Sequence, residues 1–239
     1  MLYLSEQELG VILLSLKVAA LSVAVSLPIA IVAATWLARA EFPGKTLVDA
    51  VVHLPLVLPP VVVGYVLLLL FGRHGVVGEW LDRSFGIVVA FRWTGAALAS
   101  AIMGFPLMVR AIRLSIAAID RRLETVGRTL GASRMWVFLS ITLPLALPGI
   151  VTGALLSFAR SLGEFGATIT FVSNIPGETE TLPLAIYTLV QSPGGDAQAL
   201  RLSIISVILS ILALIASEWL TRRASPARTF DMNVRRRPA

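Results

Sequence analysis

The chain has no cysteine and only two histidines in 239 residues. No disulfide framework or thiol chemistry is therefore available, and His53 and His74 stand apart, with no metal-ligand spacing around them. Charge is scarce as well: 14% of the residues are Asp, Glu, Lys or Arg, against 56% hydrophobic. That balance argues against a soluble domain with one core and for a polytopic membrane protein. A net charge of +6 could point to nucleic acid in a soluble protein. Here the basic residues gather at the ends of apolar runs, which is a signature of membrane orientation, and no nucleic-acid partner is expected. Catalytic groupings are missing too. Ser157 and Glu164 have no histidine near them in the sequence, so no catalytic residue is assigned. Gly44-Lys45-Thr46 carries the tail of a phosphate-binding loop, but the glycine required five residues earlier is Arg39. The start, MLYLSEQELG, is acidic and lacks a basic segment, so no cleavable signal is expected.

What the chain does have is long apolar runs. They predict an all-α polytopic membrane protein with about five spans, at about 11–37, 51–71, 94–112, 145–162 and 200–220. Residues 1–221 are expected to form one transmembrane domain, followed by a basic tail at 222–239. Pro55, Pro59, Pro60 and Gly64 interrupt the second run. Internal prolines are tolerated in a membrane where protein or a water-filled cavity satisfies the freed carbonyls, so Pro59, Pro60 and Gly64 are candidates for a pathway wall. In the fourth run Gly149, Gly153 and Ser157 form a small-x3-small row, a candidate for packing in a dimer. Arg160 and Glu164 are four apart at its end, just before Gly166. Ionisable groups at membrane depth are functional candidates, here for a gate; the alternative is a mutually neutralising pair that holds the helix end. Leu182 to Val190 reads as a short re-entrant or interfacial helix.

Lys and Arg set the orientation. Arg39 and Lys45 lie in the first link, Arg110, Arg113, Arg121, Arg122, Arg128 and Arg134 around the loop at 119–144, and Arg222, Arg223, Arg228, Arg235, Arg236 and Arg237 in the tail. The opposite loops hold only Arg73, Arg83, Arg92 and Arg201. The positive side is expected to be cytoplasmic, with the N-terminus outside and the C-terminus inside.

The loop at 119–144 is the one long internal stretch dense in charge. Ile119, Leu123, Val126 and Leu130 recur at helical spacing, Gly131 can end that helix, and Ser133 can cap the next. Such a helix, about 16 Å long, is too short to span a bilayer but can present a surface to a partner. Gly131, nine residues, then Ile141-x-Leu143-Pro144 resembles the second half of the "EAA" loop of ABC importer permeases. Thr125, Val126 and Gly127 stand where that loop has Glu-Ala-Ala, and Glu124 lies one position early. The resemblance implies the type I ABC importer permease fold and a coupling helix that docks on an ATP-binding subunit. Leu123, Glu124, Val126, Gly127, Leu130, Gly131, Ile141, Leu143 and Pro144 are then the coupling residues.

Three further stretches, HLPLVLPPVVVGY from His53, FPLMVRAIRL from Phe105 and FARSLGEFGATITFVSNIPGET from Phe158, resemble the molybdate permeases of that family. The SLGEFGAT element is shared with sulfate and thiosulfate permeases. The resemblance implies a homodimeric pore for molybdate, with tungstate handled alike, in the lipid of the bacterial inner membrane. It also implies two ATP-binding subunits that hold ATP and Mg, a periplasmic molybdate-binding protein, and no cofactor on this chain. A sulfate or thiosulfate permease is the alternative. A secondary anion transporter would need midplane coupling residues and usually internal repeats, and neither is found.

Overall fold

A computed structural model describes residues 4–224, and among them every regular element is helical. In chain order they are α1 Glu6–Arg39, α2 Lys45–Val57, α3 Pro60–Phe71, α4 Val76–Phe85, α5 Trp93–Ala117, α6 Arg121–Thr129, α7 Arg134–Val137, α8 Leu143–Leu162, α9 Gly166–Val172, α10 Leu182–Val190 and α11 Asp196–Ala224. A π-helical turn, Phe138–Thr142, joins α7 to α8, so Arg134–Leu162 runs as one helix of 29 residues. The predicted basic tail lies outside the described residues from 225 onward; up to Ala224 the chain continues α11.

The first helix begins at a capping box. The Ser5 hydroxyl accepts from the Glu8 amide, and the Glu8 carboxylate accepts from the Ser5 amide. Its buried stripe is made of small residues three or four apart, among them Ser15, Ala19, Ser22, Ser26, Ala30 and Ala34. Small side chains let backbones approach where no hydrophobic force drives helices together. The hydroxyls of Ser15, Ser22 and Ser26 donate to carbonyls of the preceding turn, which satisfies them in apolar surroundings.

The centre of the bundle is α5, packed between α1 and α8. From Trp93 to Val109 none of its residues is exposed. The α5–α8 seam depends on absent side chains. A Cβ on Gly149 would lie 2.3 Å from Ser115 Cβ, one on Gly153 3.0 Å from the Met108 carbonyl oxygen, and one on Gly104 2.2 Å from Ser157 Oγ. Gly149, Gly153 and Ser157, expected to pack in a dimer, thus lie against α5 of the same chain. The close approach is present, but α5 of the same chain fills it. The row itself carries no mark of which helix it faces.

The second predicted run is two helices, α2 and α3, bent by 111°. A residue before proline is pushed out of the helical region. Leu58 and Pro59 both precede proline, and both are extended, with ψ of 143° and 132°. Pro60 then opens α3 at a position where its missing N–H costs nothing. Lys17 lies over the Trp93 ring, 3.6 Å from its centroid.

Contacts between helix ends show that the bent pair carries the chain across the bundle. At one end, Glu8 at the start of α1 pairs with Arg201 of α11, Ser15 accepts from the Leu182 amide, and Lys17 meets Trp93 at the start of α5. At the other end, Arg39 closing α1 meets Glu124 of α6, and Asp49 of α2 meets Arg113 near the end of α5. Both α1 and α5 therefore run from the first end to the second, and α2–α3 returns between them. With α7–α8 and α11 this makes five crossings, and the described chain starts and finishes at opposite ends.

Candidate functional site

The second end of the bundle carries α6, whose boundaries are set chemically. The Asp120 carboxylate accepts from the Arg122 amide, 2.9 Å, and starts the helix. Gly131 stops it at φ +87°, with its amide donating to the Arg128 carbonyl and the Ala132 amide to the Gly127 carbonyl. That pair of bonds is the Schellman arrangement. The Ser133 hydroxyl then accepts from the Trp136 amide and starts α7.

Two residues hold α6 against the bundle. Glu124 Oε1 lies 2.7 Å from Arg39 Nη2 at the end of α1, and accepts from the Thr142 hydroxyl, 2.9 Å, in the π-helical turn before α8. Gly127 is buried, and a Cβ there would approach Ile141 Cδ1 at 3.1 Å and Val137 Cγ2 at 3.2 Å. The two halves of the motif thus meet: Gly127 of the first rests on Ile141 of the second. Leu143 packs against the core cluster that includes Ile116 and Ile119, and Pro144 occupies the first turn of α8. Nearby, in the link to α2, Lys45 sits 2.9 Å from Glu41 and holds that carboxyl below its usual range.

The apolar stripe of α6 is turned away from the chain's own core. Leu123, Val126 and Leu130 are 48%, 56% and 83% exposed, while Ile119, expected on the same face, precedes the helix and is buried. Met135 and Trp136 extend the exposed patch onto α7. Exposed apolar patches framed by charge mark contact surfaces, and Arg121, Arg122 and Arg128 frame this one.

Toward the first end, the structure brings together candidates that lie a hundred residues apart in the chain. A Cβ on Gly166 would fall 2.7 Å from Pro60 Cβ, and one on Gly64 2.6 Å from the Ala167 carbonyl oxygen. So α9 rests directly on the broken end of α3. Glu164 is 2% exposed; its Oε1 accepts from the Ala167 amide at 2.8 Å and its Oε2 lies 2.7 Å from Arg160 Nη1. The pair forms differently from the expected one-face contact. Helix α8 ends at Leu162, and Glu164 reaches back across Gly163 while anchoring the first turn of α9. Sequence reasoning missed Arg39, Thr142 and Asp49. Arg39 and Asp49 find their partners 85 and 64 residues away, and Thr142, in the π-helical turn before α8, finds Glu124 of α6; the signal available was a polar group at the end of an apolar run.

A multi-crossing helical bundle with a short capped helix displayed at one end is the architecture of a membrane transport subunit. The model for the binding-protein-dependent transport system inner membrane component matches residues 26–226, and the chain belongs to that family. It is 61% identical over 219 residues to the molybdenum transport system permease protein ModB of Escherichia coli strain K12, covering 92% of this chain and 96% of that one. It is 56% identical to ModB of Haemophilus influenzae over 216 residues, covering 90% and 94%. Among solved structures, a bacterial ABC transporter involved in the import of the acidic polysaccharide alginate superposes with TM-score 0.74 at 20% identity, covering 94% of this chain and 82% of that one, a likeness of fold. The chain is a multi-pass inner membrane protein.

Proposed function

We propose that this chain is the membrane-spanning permease of an ATP-driven molybdate importer, acting as a pair with two ATP-binding subunits and a periplasmic binding protein. Residues 1–221 are its translocating unit and 222–239 a basic cytoplasmic tail. The observation that carries the cargo is the likeness to molybdenum permeases over nearly the whole chain. The coupling role of α6 is supported by its outward apolar face and the Glu124–Arg39 clip behind it. ATP is hydrolysed by the partner, and this chain supplies the surface the partner moves. Leu123, Val126 and Leu130 make the contact; Glu124, Gly127, Gly131 and Ile141 hold the helix in position; Leu143 and Pro144 start the helix that carries the motion inward. The joint of Pro59, Pro60 and Gly64 with Glu164 and Gly166 is the gate. A dianion crossing about 30 Å of hydrocarbon needs weak, successive contacts, since a tight site would stall release.

The test is uptake of labelled molybdate into vesicles holding the purified complex, with sulfate as competitor. Uptake that requires ATP and the co-purified ATP-binding subunit, and that excess sulfate leaves standing, is expected. Uptake by this chain alone on an ion gradient would make it a secondary transporter, and suppression by equimolar sulfate would make the cargo sulfate.

A further inference from the structure

Cations inside an apolar bundle are costly unless matched. Among the described residues, the cations of the crossing helices named next are matched, with one exception. Lys17 lies on the Trp93 ring, Arg113 pairs with Asp49, Arg160 with Glu164 and Arg201 with Glu8. Arg110 has no carboxylate or aromatic partner among the described residues, and it lies about two turns before the end of a membrane-crossing helix, toward the end that carries α6. At 1.5 Å per residue it is about 25 Å from the start of α5 and about 10 Å from its end. It is also the first exposed residue of that helix, which is enclosed from Trp93 to Val109.

Arg110 opens into a groove of about 430 Å³ between α5 and α8. Leu107, Ala111 and Leu114 line one side, Pro148, Gly149, Thr152 and Leu156 the other. Among these lining residues only Thr152 is polar besides Arg110, and its hydroxyl donates to the Pro148 carbonyl, so no lining side chain offers the guanidinium a charge. What it fits is a mobile oxyanion, which takes two parallel N–H···O bonds from the planar fork. Apolar walls around one fork give a contact that recognises the charge and still lets the ion leave.

We propose that Arg110 is a contact residue for the transported oxyanion, lying on its path in the α5–α8 groove. The inference rests on the proposed importer function. A lipid phosphate offers the same chemistry, and the choice of bilayer separates the two.

The chain has no cysteine, so Arg110→Cys introduces a single thiol. The complete transporter is placed in vesicles of neutral lipid as wild type, Arg110→Gln, Arg110→Cys and, as a control for loss of a charge elsewhere, Arg83→Gln on α4. Uptake is measured with whichever of molybdate and sulfate the wild type carries, so failure of the cargo assignment shows in the wild type alone. Arg110→Gln is expected to lower uptake roughly tenfold, the loss of one charge-assisted contact, with Arg83→Gln unchanged. Arg110→Cys is expected to be as slow, to recover uptake when a cationic thiosulfonate reagent attaches an ammonium group, and not to recover with an anionic one. Molybdate is expected to slow that labelling. Uptake by Arg110→Gln within twofold of wild type overturns the proposal. So does a labelled thiol whose charge makes no difference, which remains decisive if the glutamine variant fails to assemble. A defect that appears only when anionic lipid is added assigns the arginine to a headgroup and overturns it as well.

Discussion

Replacing Glu124 by glutamine separates holding the coupling helix from touching the partner. The carboxylate faces inward, 2.7 Å from Arg39 and accepting from Thr142, and the ion-paired side chains are 18% and 22% exposed. Glutamine keeps the shape and an acceptor oxygen but loses the charge. Hydrogen bonds to charged groups contribute about 1.5–3 kcal/mol against about 1 kcal/mol for neutral ones, so the charge accounts for roughly 1–1.5 kcal/mol. If α6 must be held in place to dock, that energy is withdrawn from binding, and affinity for the ATP-binding subunit falls up to about tenfold. Arg39→Met should cost a similar amount, and the double variant no more than the worse single one, because both remove the same bond. Leu123→Ser, on the exposed face, should add fully to either. The assay is titration of the purified ATP-binding subunit onto the purified permease, wild type and variants side by side. Wild-type affinity in Glu124→Gln, or full additivity of the Glu124 and Arg39 losses, would refute the clip.

Three more outcomes follow from the same geometry. Gly131→Val should uncouple ATP hydrolysis from uptake while Gly131→Asn largely preserves coupling. Nothing lies within 4 Å of a Cβ there, so the φ of +87° is the whole obstacle, about 1–2 kcal/mol for an ordinary residue and more for a β-branched one. Gly104→Ala should lower the thermal midpoint of the purified protein, and Ser157→Ala should restore part of it, since the added methyl meets Ser157 Oγ; an unaltered midpoint in the single variant would contradict the tight α5–α8 seam. Reversing charge with Glu164→Lys leaves Arg160 facing a like charge in a buried site, a loss of about 3–5 kcal/mol for breaking such a pair. Uptake should fall while the ATP-binding subunit is still retained, and unchanged uptake would reduce the pair to a structural clip.

The parts legible in the sequence are those set by local rules. Helix α6 was readable because Gly131 and Ser133 act on their own backbone, and α10 came out at its predicted residues because Thr181–Leu182–Pro183 opens an apolar run. The first and fifth runs were found with their ends a few residues short, since capping by Ser5 extends α1 outward and α11 begins at Asp196. Direction of facing was not legible. The stripe of Leu123, Val126 and Leu130 looks like a core face, and only the fold shows that Glu124 and Gly127 are the inward residues. The small row of α8 has the same ambiguity, because a glycine records that something comes close and not what. The break at Pro59 was signalled by three prolines, yet its 111° angle depends on where α9 and α5 receive the two arms.

Those arms bear on how a push on α6 would be spent. Glu124 joins α6 both to the end of α1, through Arg39, and to the turn entering α8, through Thr142, while Gly127 rests on Val137 and Ile141. From there α8 runs about 30 Å to Leu162, where Ser161 meets Ser22 of α1 and Arg160 meets Glu164. Glu164 anchors α9, and α9 seats Gly166 on Pro60 and Ala167 on Gly64. The last seam on this route, α9 on α3, has contacts too short for a Cβ, and close-packed seams do not yield by fractions. What can yield is the pair of extended residues, Leu58 and Pro59, between α2 and α3. One arm is tied to α5 by Asp49–Arg113 and the other to α9. On the proposed coupling role, a displacement at α6 that passes the π-helical turn into α8 would reach the bend at Pro59, beside the joint proposed as the gate.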